Sequence, residues 1–396
     1  MRSPSRSLGD FSTSQMVRIA MCCILICSIL TVGSLSQTIR FATFNASLNR
    51  RNPGDLISDL AGSHGDQGNM ISRIICKTNP DILLINEFDY DAGWDAAEIF
   101  RLDYLTGYDY MFVAPSNTGI PSGYDLDNDN QVGGPGDALG WGYFEGQYGM
   151  VLYSKYPIVE EEVRTFQSFL WADMPGALLP DNPNTTQPND WYSPAELAIQ
   201  PLSSKSHWDI PIAIGNTVIH VLASHPTPPL GTVNIRRNYD EIRFWADYVT
   251  PGSGGYIYDD AGSYGGLDGE HFVIMGDLNA DPNDGDSHPQ AVDQLLNLSL
   301  VNAQQTPNSQ GAIEQAQLQK GENSKHKGNP AFDTADFRDD TVGNLRVDYV
   351  LPSIHLMPID AGVFWPTTTD PLFPLTGVYP FPSSDHRLVW VDIVLP

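Results

Sequence analysis

The sequence predicts a mixed α/β fold in which sheets pack together and helices lie outside, and three observations carry that prediction. Strand-like runs outnumber helical ones along the 396 residues. Many of these runs are apolar at consecutive positions, the pattern of strands covered on both faces. The helical stretches between them are amphipathic, so each has one stripe to bury against a sheet. No repeat or obvious linker divides the chain, which points to one domain after an N-terminal segment.

That segment comes first. Residues 19–32 (IAMCCILICSILTV) form an apolar run behind Arg18 and ahead of the small residues of GSLS, near Ser34 or Ser36. A basic flank, a short apolar core and small residues read as a secretory signal over residues 1–36, and the run is short for a bilayer span. The expectation is a secreted protein, extracellular or periplasmic, with its domain in 37–396. Cys22, Cys23 and Cys27 fall inside the signal, leaving Cys76 and no internal disulfide. Cys76 lies in the helix-like NMISRIICKTN, where a buried structural thiol is expected.

Residues 1–36 hold three of the 21 basic and one of the 48 acidic residues, which leaves 18 against 47 in the domain, a net of −29. So acidic a surface repels polyanions, argues against a stable long nucleic-acid partner, and suits divalent cations.

The predicted strands follow in order: 39–46 (IRFATFNA), 81–88 (DILLINEF), 148–154 (YGMVLYS), 209–224 with a Gly215-Asn216 turn, 271–279 (HFVIMGDLN), 345–352 (LRVDYVLP) and 386–396. Helical patterns occupy 238–249, where Ile242, Trp245, Ala246 and Val249 share a face, and 290–300 (QAVDQLLNLSL). Two long loops interrupt, the Pro/Asn-rich 171–196 and the polar 303–343; loops of this length are often functional.

Polar residues close the apolar strands. Asn45 ends RFATFN, Glu87 ends ILLINE, His225 follows VIHVLAS, and Asp277 and Asn279 end VIMGDLN. Asp348 sits in LRVDYVL, and Asp385-His386 open the last strand. Each alone reads as a cap or turn. As a set they mark a site, because binding sites in sheet proteins collect at strand ends.

FATFNASLN, NPDILLINEFD, GQYGMVLYSKYPI, GDLNADP, RVDYVL and SDHRLV, in that order, resemble the endonuclease/exonuclease/phosphatase superfamily, in a secreted bacterial branch. Its members include deoxyribonucleases, apurinic endonucleases, neutral sphingomyelinases and inositol phosphatases. The resemblance spans 39–396 and implies a four-layer sandwich of two mixed β-sheets flanked by helices. It also implies a metal-dependent phosphoester hydrolase that cleaves P–O bonds with activated water. Such chemistry needs developing charge neutralised and a water aligned, tasks suited to a hard divalent cation with oxygen ligands. On this resemblance Glu87, helped by Asn45 and Asp385, holds Mg2+ or Mn2+, with Ca2+ as a further option. Asp348 orients His386, Asp277 and Asn279 position water and phosphate, and His225 is a phosphate ligand or general acid. Whether His386 or Asp277 takes the water's proton stays open at this stage.

Three further features carry two readings each. Asp125, Asp127 and Asp129 alternate in 123–137, as at the start of a calcium loop, but Asn130 and Gly136 replace the Gly and Glu of an EF-hand. A calcium loop of another kind and a solvated acidic turn both remain. Lys205, His207 and Asp209 share one alternating face, where phosphate contact by Lys205 and His207 stands against an exposed strand start. Arg236 and Arg237 precede Asp240 and Glu241, and surface pairing is expected for them.

The favoured substrate is a small phosphate ester, with no obligate membrane partner; the oligomeric state is not legible. Alternatives are an extracellular nuclease and a sphingomyelinase-like lipid phosphodiesterase. The latter calls for an apolar patch at the mouth, for which Trp171, Trp191 and Tyr192 are candidates. A non-catalytic binding protein would lack a ligand or base, and none is missing.

Overall fold

Runs of β-branched and aromatic residues become strands throughout a computed structural model, which describes residues 37–62, 66–267 and 269–396. In chain order the strands are β1 (Thr38–Leu48), β2 (Ile82–Phe88), β3 (Tyr110–Phe112), β4 (Met150–Ser154), β5 (Arg164–Thr165), β6 (His207–Ile214), β7 (Thr217–Ser224), β8 (Phe272–Asp277), β9 (Ala335–Asp336), β10 (Asn344–Leu345), β11 (Asp348–Pro352), β12 (Met357–Val363) and β13 (Val389–Val394). One sheet is ordered β12-β13-β1-β2-β4-β3, a second β11-β8-β7-β6-β5, and β9 and β10 form a small ribbon. Each large sheet has one parallel pair, β1 with β2 and β7 with β8, among antiparallel neighbours. Both sheets are mixed, as expected. The Gly215-Asn216 turn expected from the sequence joins β6 and β7 as a hairpin, with Gly215 at φ 62°.

The longer helices are α1 (Asp55–Ala61), α2 (Asp66–Thr78), α3 (Gly231–Val249) and α4 (Gln310–Gln319). Leu56 and Leu60 of α1 and Ile71, Ile74 and Ile75 of α2 pack on Ala42, Phe44, Leu83 and Ile85 of the first sheet. Ile242, Trp245 and Val249 of α3 pack on Leu222, Ile274 and Leu351 of the second. Phe41, Leu84, Ile210, Val221, Val273 and Val391 fill the space between the sheets. The result is helix, sheet, sheet, helix: four layers.

Strand periodicity explains where the site sits. Side chains two apart share a face, so the inward stripe of β1 reads Ile39, Phe41, Thr43, Asn45, and that of β8 reads Val273, Met275, Asp277. On β7 it runs Ile219, Val221, Ala223 and continues to His225; on β11, Val350 precedes Asp348 inward. The same interior layer is therefore apolar over most of its length and polar at one end.

Gly276 makes this end tight. It lies at φ 148°, and a Cβ there would come 1.9 Å from the Ser224 carbonyl oxygen on the neighbouring strand. Only a glycine lets β7 and β8 approach so closely.

Several local expectations change. Cys76 is exposed rather than buried, because Ile71, Ile74, Ile75 and Thr78 form the inner stripe of α2 and Cys76 falls off it. The helix holding Asp240 and Glu241 starts earlier, at Gly231, so both acids lie in its middle and are buried. Arg237 is buried with them and donates to the carbonyls of Leu202, Leu139 and Pro201, while Arg236 donates to that of Leu179; neither makes a surface pair. Of 290–300 only Asp293–Leu296 is helical. The segment read as a signal, 1–36, lies outside the described residues. Among those described, no helix is long and apolar enough to cross a membrane.

Candidate active site

The site is built around one oxygen. Asp277 Oδ2 accepts from Asn45 Nδ2 at 3.0 Å and from Asn279 Nδ2 at 3.3 Å. His225 Nε2 lies 3.4 Å from the same oxygen and His386 Nε2 3.8 Å from it. Behind the ring, His386 Nδ1 meets Asp348 Oδ2 at 2.9 Å, and Thr334 Oγ1 donates to that oxygen at 2.7 Å. Strand register helps, since Asp348 and Asp277 are direct partners across β11 and β8.

A second group of carboxylates stands beside the first. Glu87 accepts from Asn45 Nδ2 at 3.1 Å and from Asn49 Nδ2 at 2.6 Å. Asp385 accepts from Ser47 Oγ at 3.2 Å. A register shift between Asn45 and Leu48 turns the end of β1 toward this group. Ser47, Glu87 and Asn279 have φ of 48°, 57° and 52°, a region that costs a non-glycine residue about 1 kcal/mol or more. Three strained residues at one site show that the surroundings hold them there.

Charge divides the two groups. Burial acts to raise the Asp277 carboxyl, but His386, His225 and Asn45 prevail and hold it well below the usual carboxylate range. Burial acts to lower His386, yet Asp348, Asp277 and Asp385 outweigh it and push the imidazole up to about 10. Burial pushes Asp348 up to about 6 against the pull of His386. His225 goes the other way, down to about 4, chiefly by burial and then by the charge of Lys205. Glu87 is raised by burial first and by Asp385 second.

The implied divalent cation can be tested against these residues. Glu87 and Asp385 repel one another, and their hydrogen-bond partners are neutral amides and hydroxyls. Two carboxylates with surplus charge and hard oxygen donors fit Mg2+, Mn2+ or Ca2+. Asn45 stands between the two groups. Its NH2 bridges Glu87 and Asp277 and its side-chain carbonyl accepts from Ser47 N, so it links the two groups.

Glu87, Asp277, Asn279, Asp385, His386 and Ser47 line one cavity of about 1140 Å³. Its mouth is both acidic and apolar. Asp286, Asp339 and Asp340 border it, and its one arginine, Arg338, is paired with Asp340 at 2.7 Å. Leu230, Val378 and Tyr379 also border it and are 73%, 55% and 84% exposed.

Eight predicted side chains converge on this end of the sheets. The model of the Endonuclease/Exonuclease/phosphatase family matches residues 42–386. The chain belongs to that family. Solved structures similar to it include an endonuclease/exonuclease/phosphatase from Beutenbergia cavernae, at 17% identity and TM-score 0.48, covering 91% of this chain and 72% of that one. Sphingomyelinase C from Streptomyces griseocarneus is similar at 15% identity and TM-score 0.45, covering 90% and 99%. TDP2 from Caenorhabditis elegans stands at 14% and 0.44, covering 97% and 82%. No curated protein sequence gives a significant match.

Within this family member, the remaining predicted positions separate. His207 is a core residue: Nδ1 meets Ser203 Oγ at 2.6 Å, Nε2 meets the Glu241 carbonyl at 2.9 Å, and its ring packs 4.8 Å from Phe244 and 5.0 Å from Trp245. With both nitrogens engaged it has nothing to offer a phosphate. Asp209 is likewise engaged, by His220 and Tyr248. Lys205 stays near the site, buried within range of Glu241, Glu87 and Asp277. In the acidic loop, Asp125 and Asp127 gather with Asp137 within 4.8 Å, and Asp129 is not part of the group. Asp137 is buried because its carboxylate accepts from the backbone of Leu126 and Gly133. Trp171 is buried against Asp240, and Trp191 donates to the Leu126 carbonyl, so neither supplies the mouth's apolar patch.

Sequence reasoning missed Ser47, Asn49 and Thr334. Asn49 was within reach, four residues past Asn45 in the quoted FATFNASLN. Thr334 carried no signal, lying in the polar stretch 303–343.

Proposed function

We propose that this protein is a divalent-metal-dependent phosphoester hydrolase that cleaves P–O bonds of small phosphate esters with an activated water. One observation carries the reading: Glu87, Asp277, Asn279, Asp385 and His386, spread over three hundred positions, line a single cavity. Glu87 and Asp385 would hold the cation, which when bound supplies positive charge to the phosphoryl oxygens and offsets the acidic surplus. Asp348 fixes the His386 tautomer by taking Nδ1–H, so Nε2 is the atom that takes or gives a proton beside Asp277. Asp277, held as an anion by its four neighbours, is a weak base and serves to align water and orient Asn279. His386 carries the more basic atom of the two; pushed up to about 10 it holds a proton at neutral pH, and it serves as the base once Nε2 has given that proton up.

The acidic mouth supports small esters over polynucleotides, since its one arginine is already paired. A second reading, a lipid phosphodiesterase, rests on the exposed Leu230, Val378 and Tyr379 at that mouth. The N-terminal apolar run further supports action outside the cytoplasm, which fractionation of expressing cells tests.

The deciding experiment is a panel of model mono- and diesters, plasmid DNA and phospholipid vesicles, each with Mg2+, Mn2+ or Ca2+. Metal-dependent release of nitrophenol that is abolished in Asp277→Ala is expected. A folded protein inactive on every substrate with every metal would sink the reading.

A further inference from the structure

An arginine opens the last strand, between His386 and the apolar LVWV of 388–391, and its side chain is fully buried. Arginine is almost never enclosed so completely unless it is paired. Arg387 Nη1 donates to the Ser384 carbonyl at 2.8 Å and to the His386 carbonyl at 3.1 Å, while Nη2 donates to Asp336 Oδ2 at 3.0 Å. The two carbonyls bracket Asp385 and His386 in the chain. One guanidinium therefore closes around the turn that carries both of these side chains.

Asp336 connects that turn to the cavity wall. It lies on β9, lines the cavity, and accepts from Gln319 Nε2 at 2.7 Å through its other oxygen. The two segments also run side by side. Asp336 N donates to the Asp385 carbonyl and Arg387 N to the Thr334 carbonyl, both at 2.7 Å, and Ala335 is bridged to His386. Phe337, next along the wall, sets its ring against that of His386 at 5.3 Å and 80°. Trp365 and Phe381 cover the guanidinium, whose Cζ lies 4.4 and 5.2 Å from their ring centres.

Such an arrangement is poorly suited to stability alone. Arg387 Nε is buried without a partner, and burial pushes the guanidinium down to about 10. Apolar side chains of similar volume often match or better a buried ion pair in stability. They cannot hold two main-chain carbonyls and a carboxylate at fixed distances with one rigid plane.

We propose that Arg387 is a positioning residue, which locks the turn bearing Asp385 and His386 against the β9 wall and so fixes the spacing between the cation ligand and the imidazole. The proposal rests on the hydrolase reading of this cavity. Arg387 acts through the main chain and through Asp336, and touches neither substrate nor ion. A buried ion pair that serves only the fold is the competing account.

The test compares full-length wild type with Arg387→Lys and with the double variant Arg387→Met/Asp336→Asn, which removes the pair together and leaves no unpaired charge buried. Far-ultraviolet spectra and thermal midpoints set a temperature at which all three are folded. Mn2+ affinity is then measured by calorimetry, and kcat and KM with a nitrophenyl diester. The double variant should bind Mn2+ about tenfold or more weakly and lose about tenfold or more in kcat. Its KM should stay within about threefold of wild type. Arg387→Lys, which keeps the charge and loses the planar fork, should fall between. Wild-type Mn2+ affinity and kcat in the folded double variant overturn the proposal, as do losses that merely equal its unfolded fraction. If wild type and double variant hydrolyse the ester equally well, the clamp alone falls. If neither hydrolyses it while the double variant still binds Mn2+ more weakly than wild type, the hydrolase reading falls and Arg387 remains the clamp of a cation site. A wild type that neither binds Mn2+ nor hydrolyses the ester removes both.

Discussion

Two carboxylate groups meet at the polar end of the sheets and treat their charge in opposite ways. Asp277 and Asp348 sit among His386, His225, Asn45, Asn279 and Thr334, and each negative charge has a donor or a cation against it. Glu87 and Asp385 take hydrogen bonds from neutral donors only and push on one another, with His386 pulling on both without a hydrogen bond. Counting acids would not tell these groups apart. Their hydrogen-bond partners do, and on the proposed function the group with neutral donors is the one that would hold a cation.

The sharpest way to break this comparison is to remove the self-compensated half. His386→Ala should lower turnover of a model diester by about a thousandfold or more, with the far-ultraviolet spectrum unchanged. Normal turnover would dismiss His386 as the base. Next come the paired substitutions Glu87→Gln and Asp348→Asn. Glu87→Gln should raise the half-saturating Mg2+ concentration about 10- to 100-fold without lowering the midpoint of metal-free unfolding. Asp348→Asn leaves His386 without its counter-charge, and should cost about 3 kcal/mol in a denaturant titration with little change in metal requirement. If the two variants behaved alike, the division of charge would be wrong.

Histidines extend the contrast to pH. His386 has a folded pKa near 10, above its ordinary value of 6.5, so its stabilising share is complete below 6.5 and lost as pH rises through about 10. His207, bound to a hydroxyl and a carbonyl without a carboxylate, is pushed down to about 4 by burial. Between pH 6.5 and 4 the unfolded chain takes up this proton and the folded chain does not, so stability falls with pH across that window. The share of His207 is about 3 kcal/mol at most. Replacing it by Gln should flatten the acid limb of a stability–pH curve; an unaltered limb would show that His207 is not held neutral. The smallest effect is expected from Thr334→Val, about tenfold in kcat with metal dependence intact, because Thr334 only steadies Asp348.

Much of this site was legible because alternation along a strand is a strong constraint. Asn45, His225, Asp277 and Asp348 each continue an apolar inward stripe, so their shared facing follows from the pattern of the sequence. Glu87 was legible by motif alone, since its left-handed backbone takes it out of the stripe. Partners from loops were hidden: Thr334 reaches Asp348 from a polar stretch with no period. His207 and Lys205 looked equivalent at alternate positions, and only tertiary packing against Phe244 and Trp245 separates them. The acidic loop misled for a related reason. Backbone N–H groups recruit Asp137 from ten residues downstream of Asp127, which local spacing cannot foresee.

Gly276 contributes no functional group, yet the contact between His225 and Asp277 depends on it. With 1.9 Å between an added methyl carbon and the Ser224 oxygen, even alanine would wedge two central strands apart. A pocket could thus be silenced with all its reactive groups present. In a survey of relatives for loss of activity, an empty position would be as telling as any acid or base.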